Sequence, residues 1–236
     1  MLNMNFSERA VVDTLVLPWQ SSPSPWVKRR LIERDGGEVA RATSIVRYEP
    51  GAHFAEHRHD LGEEILVLRG VFSDEHGEYA AGAYIKNPPG STHAPFSEGG
   101  CLLLVKLRHM DPADEGRVVV DTTEDRWLPG PGPGLSVLPL YDFRTQHTAM
   151  VRWAAGTEFK PHRHCGGEEI YVLDGVFADQ HGRYPAGTWL RNPHMSQHRP
   201  FSREGCTIFV KTGHLPDALR NLSPLANDRE DWGSRH

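Results

Sequence analysis

The sequence predicts an all-β protein built as two tandem copies of one sandwich or small barrel. Three observations carry this reading: an internal repeat that aligns without gaps, short β-type runs at regular spacing, and an excess of turn formers. The repeat comes first, because missing it would misassign the whole architecture. Residues 45–109 align with residues 150–214 at an offset of 105, with 34 identities in 65 positions. A weaker match upstream, at an offset of 108, pairs Trp19 with Trp127, Pro23 with Pro131 and Pro25 with Pro133. The change of offset places three extra residues in the first copy near Gly36-Gly37-Glu38. Each copy is long enough for a core of its own. The domains expected are therefore an N-terminal one over residues 1–114 and a C-terminal one over residues 115–236. The run Pro129–Gly134 copies the Pro-rich loop Ser21–Pro25, so it belongs inside the second copy and is not a linker.

Within the first copy, Thr43–Tyr48 alternates and is broken by Glu49-Pro50-Gly51. Glu64–Leu68 reads as a strand ending at Arg69-Gly70, and Val71–Asp74 as another before a turn at Glu75–Glu78. Tyr84–Lys86 runs into Asn87-Pro88-Pro89-Gly90, and Cys101–Leu107 is a long apolar strand. Strands 8–12 residues apart with Gly/Pro turns mark sandwiches and small barrels. The 23 Gly and 18 Pro exceed ordinary usage and follow no collagen period. Little helix is expected beyond a short one at Asp217–Leu222 in the polar tail.

Composition excludes several function classes. With 26 basic and 31 acidic residues the net charge is −5, and no basic stripe is visible, so no nucleic-acid partner is expected. The longest apolar runs are strand-length, which leaves no membrane-spanning helix, and Met1–Ala10 has no apolar leader region. Three cysteines do not make a disulfide framework and fit a reducing cytoplasm. The unusual feature is 14 histidines.

Those histidines fall in a repeated pattern. The first copy carries His57, His59, Glu63 and His93; the second carries His162, His164, Glu168 and His198. Two histidines at i and i+2 on a strand project to one face. A carboxylate after a short turn and a third histidine after a hairpin can join them. Three imidazoles and one carboxylate suit Fe, Mn, Ni, Cu or Zn. One divalent transition metal per copy is therefore expected.

The spacing Gly51-(x5)-His57-x-His59-(x3)-Glu63-(x6)-Gly70, with Gly82-(x5)-Pro88-x-Gly90-(x2)-His93, resembles the two motifs of the cupin superfamily. The second copy repeats it from Gly156 to Gly175 and from Gly187 to His198, with Met195 in place of the motif glycine, which puts that turn in question. The segments Gly-Glu-Glu-Ile-x-Val-Leu-x-Gly-Val-Phe, Asn-Pro and Cys-(x3)-Val-Lys resemble more narrowly the C-terminal cupin domain of ChrR-type anti-sigma factors. The resemblance implies a double-stranded β-helix, or jelly roll, in each half: a bicupin with a metal inside each barrel. Such cupins also occur in dioxygenases acting on small oxygenated organics. The anti-sigma role is not carried over. Residues 1–43 contain neither Cys nor His, so the zinc-binding helical module that contacts a sigma factor has no counterpart.

Two readings of function follow. The first is a dioxygenase-like oxidoreductase acting on a small oxygenated organic molecule. The second is a non-catalytic zinc-binding sensory or regulatory module. Four protein ligands leave two positions open on an octahedral ion but close a tetrahedral zinc site. A homodimer through exposed sheet edges is compatible with either. Other recurring residues read as structural. Glu64 and Glu169 should face away from the metal. Lys106 and Lys211 should reach outward from their strand. His76/His181 and His109/His214 are expected at the surface or in packing, Cys101 and Cys206 in packing, and Cys165 in a loop.

Overall fold

A computed structural model describes residues 1–124 and 126–215; the helix expected at Asp217–Leu222 lies outside the described residues. All regular structure among the described residues is β. The chain forms two compact units. The first comprises Met1–Met4 and the chain from Val12 onward, the second Asn5–Val11 and the chain from Arg126 onward. Where the repeat suggests one cut at 114/115, the units interchange short segments instead.

The first unit's main sheet is antiparallel, in the order Val118–Asp121, Ala83–Asn87, Glu63–Asp74, Cys101–Leu107, Ala42–Tyr48, Val27–Arg34, Gln20–Ser21. Gly77–Ala80, Phe96–Ser97 and Ala52–His53 attach around the far half of Glu63–Asp74. The second unit repeats this with Ala10–Asp13, Thr188–Asn192, Glu168–Asp179, Cys206–Thr212, Gln146–Trp153, Leu135–Phe143 and Leu128–Pro129. The first strand of each list comes from the part of the chain that the repeat assigns to the other copy. The two strands carry similar sequences, Arg9-Ala-Val-Val-Asp-Thr14 and Arg117-Val-Val-Val-Asp-Thr122. Leu128–Pro129 pairs within the second sheet, so the Pro/Gly run lies inside that unit.

The strands expected at Glu64–Leu68 and Val71–Asp74 are one strand of 12 residues, Glu63–Asp74. Gly70 does not end it. Gly70, at φ +77°, stays paired with Cys101, and a Cβ there would lie 2.1 Å from the Gly100 carbonyl oxygen; the bulge against Cys101–Leu107 falls just before it, at Leu68, which the register skips. The strand bends at that point and passes from one sheet to the other, which closes the barrel. Its alternating side chains Ile65, Val67 and Phe72 pack with Val27, Tyr48, Leu103 and Val105. The second unit packs Ile170, Val172 and Phe177 with Leu135, Trp153 and Ile208. A buried aromatic such as Phe72 or Phe177 contributes about 1.5–3 kcal/mol by leaving water.

The three-residue insertion is a bend at residues 35–40, joining Val27–Arg34 to Ala42–Tyr48. In the second unit the matching strands are joined by Arg144-Thr145 alone, with Arg144 at φ 56°. Lys106 and Lys211 do not reach outward: they are 3% and 2% exposed. Lys106 points to the sheet face opposite the core and donates to Thr43 Oγ1 at 3.2 Å. That face is covered, so a lysine on it has to be hydrogen-bonded. His109 and His214 are buried, the packing alternative of the two, with His214 Nε2 2.5 Å from Glu169 Oε2 and His109 Nε2 3.2 Å from the Ala42 carbonyl. His76, His181 and Cys165 are exposed; Cys101 and Cys206 are buried.

Candidate metal centres

In the first barrel, His57–His59 is a short strand paired antiparallel with Ser91–His93, which sets His93 directly opposite His57. The pleat sends His57 and His59 to the same side, and Glu63 enters from the start of the adjoining long strand. The three rings cluster at centroid distances of 4.7–4.9 Å. His59 Nε2 and His93 Nε2 are 3.0 Å apart, and each is 3.4 Å from Glu63 Oε2. In the second barrel the rings of His162, His164 and His198 lie 4.6–4.9 Å apart. Glu168 Oε2 is 3.5 Å from His164 Nε2 and 3.7 Å from His198 Nε2. One ligand atom from each of these four residues lies within 4.8 Å of the others; in the first barrel the three histidines meet that criterion. The second barrel thus gathers four candidate donors within one small space, and the first gathers three histidines with Glu63 beside His59 and His93.

The donor chemistry fits a cation. Donor separations of 3.0–3.7 Å suit atoms each about 2.1 Å from one ion. In the second barrel the buried Nε2 atoms of His164 and His198 have no hydrogen-bond partner, which is costly unless something else binds them. Burial holds His59 below the usual histidine range and brings His164 down to about 4, so both are neutral imidazoles, the ligating form. For Glu168 burial pushes upward, but its interactions with the neighbouring His164 and His198 and the Asn192 hydrogen bond outweigh it and hold the carboxyl below its usual range. His198 and His93 are shifted the other way. Burial lowers them, while Glu168 and Asp179, or Asp74 and Glu63, outweigh it and raise them.

A supporting shell surrounds each set, and sequence reasoning did not single it out. His57 Nδ1 lies 2.9 Å from the Ala55 carbonyl and His162 Nδ1 3.0 Å from that of Lys160, so each donates there and leaves Nε2 as the ligand atom. Asp74 lies 3.5 Å from His93 Nδ1, and Asp179 3.4 Å from His198 Nδ1. Tyr79 donates to Asp74 at 3.1 Å, and Arg117 donates to the Tyr79 hydroxyl at 2.7 Å. In the second barrel Tyr184 donates to Asp179 at 2.9 Å, while Arg9 donates to Asp179, to the Tyr184 hydroxyl and to Asn192 Oδ1 at 2.6–3.0 Å. Asn192 in turn donates to Glu168 at 2.8 Å. One guanidinium therefore braces both a candidate histidine and the candidate carboxylate. The available signal was recurrence: Asp74/Asp179, Tyr79/Tyr184 and Asn87/Asn192 are all identities of the repeat.

Met195 leaves the turn intact. It adopts φ 60°, like Gly90 at φ 84°, and its N–H donates to the His164 carbonyl at 2.9 Å as Gly90 does to His59 at 2.7 Å. Around the ligands the barrels differ. The first encloses a cavity of about 380 Å³ lined by Arg29, Arg34, Ser44, Tyr48 and Phe54 among others. The second encloses about 90 Å³, and its wall beyond the ligands is mainly Leu135, Ala149, Trp153, Phe159 and Ile208.

Two successive antiparallel jelly rolls, each gathering three imidazoles and a carboxylate inside, define a bicupin. The family model of the ChrR cupin-like domain matches residues 7–111 and 115–216, and the chain belongs to that family. Among solved structures, a "putative dioxygenase" from Nostoc punctiforme is similar at a TM-score of 0.73 and 16% identity, covering 86% of this chain and 82% of its own. A "putative glyoxylate induced protein" from Pseudomonas aeruginosa is similar at 0.69 and 15%, covering 86% and 87%. Bacillus subtilis oxalate decarboxylase is similar at 0.57 and 15%, covering 86% and 76%. At these identities the likeness is one of fold. A comparison with curated protein sequences finds no match. No helix among the described residues is long and apolar enough to cross a membrane.

Proposed function

We propose that the chain is a metal-dependent oxidoreductase of dioxygenase type acting on a small oxygenated organic molecule. His57, His59, Glu63 and His93 would hold one divalent transition metal, and His162, His164, Glu168 and His198 a second. The observation that carries the reading is the convergence of His57, His59, Glu63 and His93 on the same cavity of about 380 Å³, a size that admits a small molecule. Bound there, iron or manganese would supply Lewis-acid and redox activation of substrate and O2.

The chain's own residues supply the rest. The backbone carbonyl of Ala55 fixes the tautomer of His57, and Asp74 orients His93. Asn87 donates to Glu63 Oε2 at 3.3 Å and holds that carboxylate toward the histidines. Tyr48, Phe54 and Phe72 are the aromatic members of an otherwise aliphatic apolar wall, which would limit water around the reacting atoms. The second barrel favours a different use for its own ion. Its narrow apolar cavity and its braced ligands suit a closed, non-catalytic site, the zinc-module reading applied to one half of the chain.

Elemental analysis with oxygen-electrode measurements tests this. Two transition-metal ions per chain, with O2 uptake on a dicarbonyl or hydroxyketone, is the expected result. Tightly held zinc in both barrels with no uptake on any such compound contradicts it and leaves the non-catalytic module.

A further inference from the structure

We infer that the first barrel, and not the second, recognises an organic carboxylate, and that Glu38 occupies the recognition site until the ligand arrives. The inference builds on the functional reading above by naming the substrate class for the first barrel's site. Arg29 and Arg34 line the same cavity as His57, His59 and His93. A guanidinium fork matches the planar geometry of a carboxylate. Here the fork already holds one. Glu38 Oε1 accepts from Arg29 Nη2 at 2.6 Å, and Glu38 Oε2 lies 3.7 Å from Arg34 Nη2. Arg34 also donates to the backbone carbonyls of Gly37 and Glu38, so it holds the loop as well as the acid. The Nε atom of Arg29 is buried and has no hydrogen-bond partner, which leaves a donor for an incoming anion.

Glu38 belongs to the three-residue insertion that the second copy lacks. Its side chain is 59% exposed, and an exposed ion pair adds little to stability, so a ligand can displace it cheaply. Gly36, at φ +94°, holds the loop in a left-handed turn with no neighbouring atom packed against it. The second barrel has none of this apparatus. Val137 pairs with Val151 where Arg29 pairs with Val46, and Asp142 pairs with His147 where Arg34 pairs with Ala42. The two arginines, the acid between them and the insertion that carries it occur together in one barrel. The present occupant is itself a carboxylate, bonded to Arg29 and within ion-pair distance of Arg34, which favours an organic acid as the ligand that replaces it.

Calorimetric titration of the metal-loaded protein with acetate, pyruvate and malonate, and separately with acetamide, pyruvamide, malonamide and inorganic phosphate, tests the assignment. The acids should bind and the amides should not. Glu38→Gln removes the internal competitor and should tighten acid binding about fivefold. Arg29→Gln should weaken it about tenfold or more. Elemental analysis of each variant should find metal content unchanged, which also reports correct folding. An acid bound only at the metal would ignore both substitutions, and phosphate binding more tightly than the acids would indicate a general anion site; either result overturns the inference. Amides binding as well as acids does the same. None of these outcomes depends on O2 uptake, so the carboxylate assignment and the oxidoreductase reading fail separately.

Discussion

The first barrel sets Arg29, Ser44 and Leu107 where the second sets Val137, Ala149 and Thr212, although the same four candidate ligands stand in both. The first keeps a roomy, partly charged cavity, and its nearby guanidinium, Arg117, donates to the Tyr79 hydroxyl. The second has a quarter of that volume, an apolar wall, and Arg9 fastened to Asp179, Tyr184 and Asn192. After duplication the ligand spacing was kept while the walls diverged. Holding an ion and admitting a substrate are separable demands, and each barrel is weighted toward one of them.

Removing a ligand should separate the barrels most sharply. His59→Ala and His164→Ala should each eliminate one ion per chain and leave the other, as read by elemental analysis. Only His59→Ala should abolish O2 uptake. Loss of both ions from either variant would mean that the sites are not independent.

The supporting shell offers the next test. Asp74→Asn and Asp179→Asn should each lower metal affinity about 10–100-fold in their own barrel alone, measured by competition with a chelator. Arg9→Ala should act the same way on the second site with a smaller loss, since it works through Asp179 and Asn192.

A pH effect should follow from Asp179. Burial pushes its carboxyl up, but His198, the His181 N–H, Tyr184 and Arg9 outweigh this and hold it at about 2, below the ordinary value of 3.8. A carboxyl depressed in the folded state contributes stability above its unfolded value, lost as pH falls through the folded one. Metal-free protein should therefore lose stability between about pH 4 and pH 2. Asp179→Asn should flatten that limb in denaturant titrations at stepped pH.

The smallest change concerns the turn. A non-glycine residue in the left-handed region costs about 1–2 kcal/mol, so Met195→Gly should stabilise the second barrel by about 1 kcal/mol in thermal unfolding. A destabilised variant would show that the half-exposed Met195 side chain makes contacts worth more than the backbone strain.

Much of this was legible in the sequence because the repeat isolates what both copies kept. Identical spacing from His57 to His93 and from His162 to His198 placed all eight candidate ligands, since strand pleat and one hairpin turn spacing into geometry. The interchange of Ala10–Asp13 and Val118–Asp121 was not legible, because strand character says nothing about which sheet edge a strand will join. The break expected at Gly70 is no break: the strand runs on through it with a bulge at the preceding Leu68, since a left-handed glycine can continue a strand as readily as end it. Lys106 and Lys211 were misread because alternation tells which face a side chain takes, not whether that face is covered. Arg29 and Arg34 escaped notice because they are five residues apart, which strict alternation puts on opposite faces; the register shift between Leu31 and Glu33 is what brings both to the cavity side.

Anomalous diffraction from crystals of the purified protein, recorded at the absorption edge of whichever metal it carries, bears most directly on the central claim. Two peaks per chain are predicted, one bounded by His57, His59, Glu63 and His93 and one by His162, His164, Glu168 and His198. A map with no peak at either position, or with metal bound only elsewhere, would contradict it.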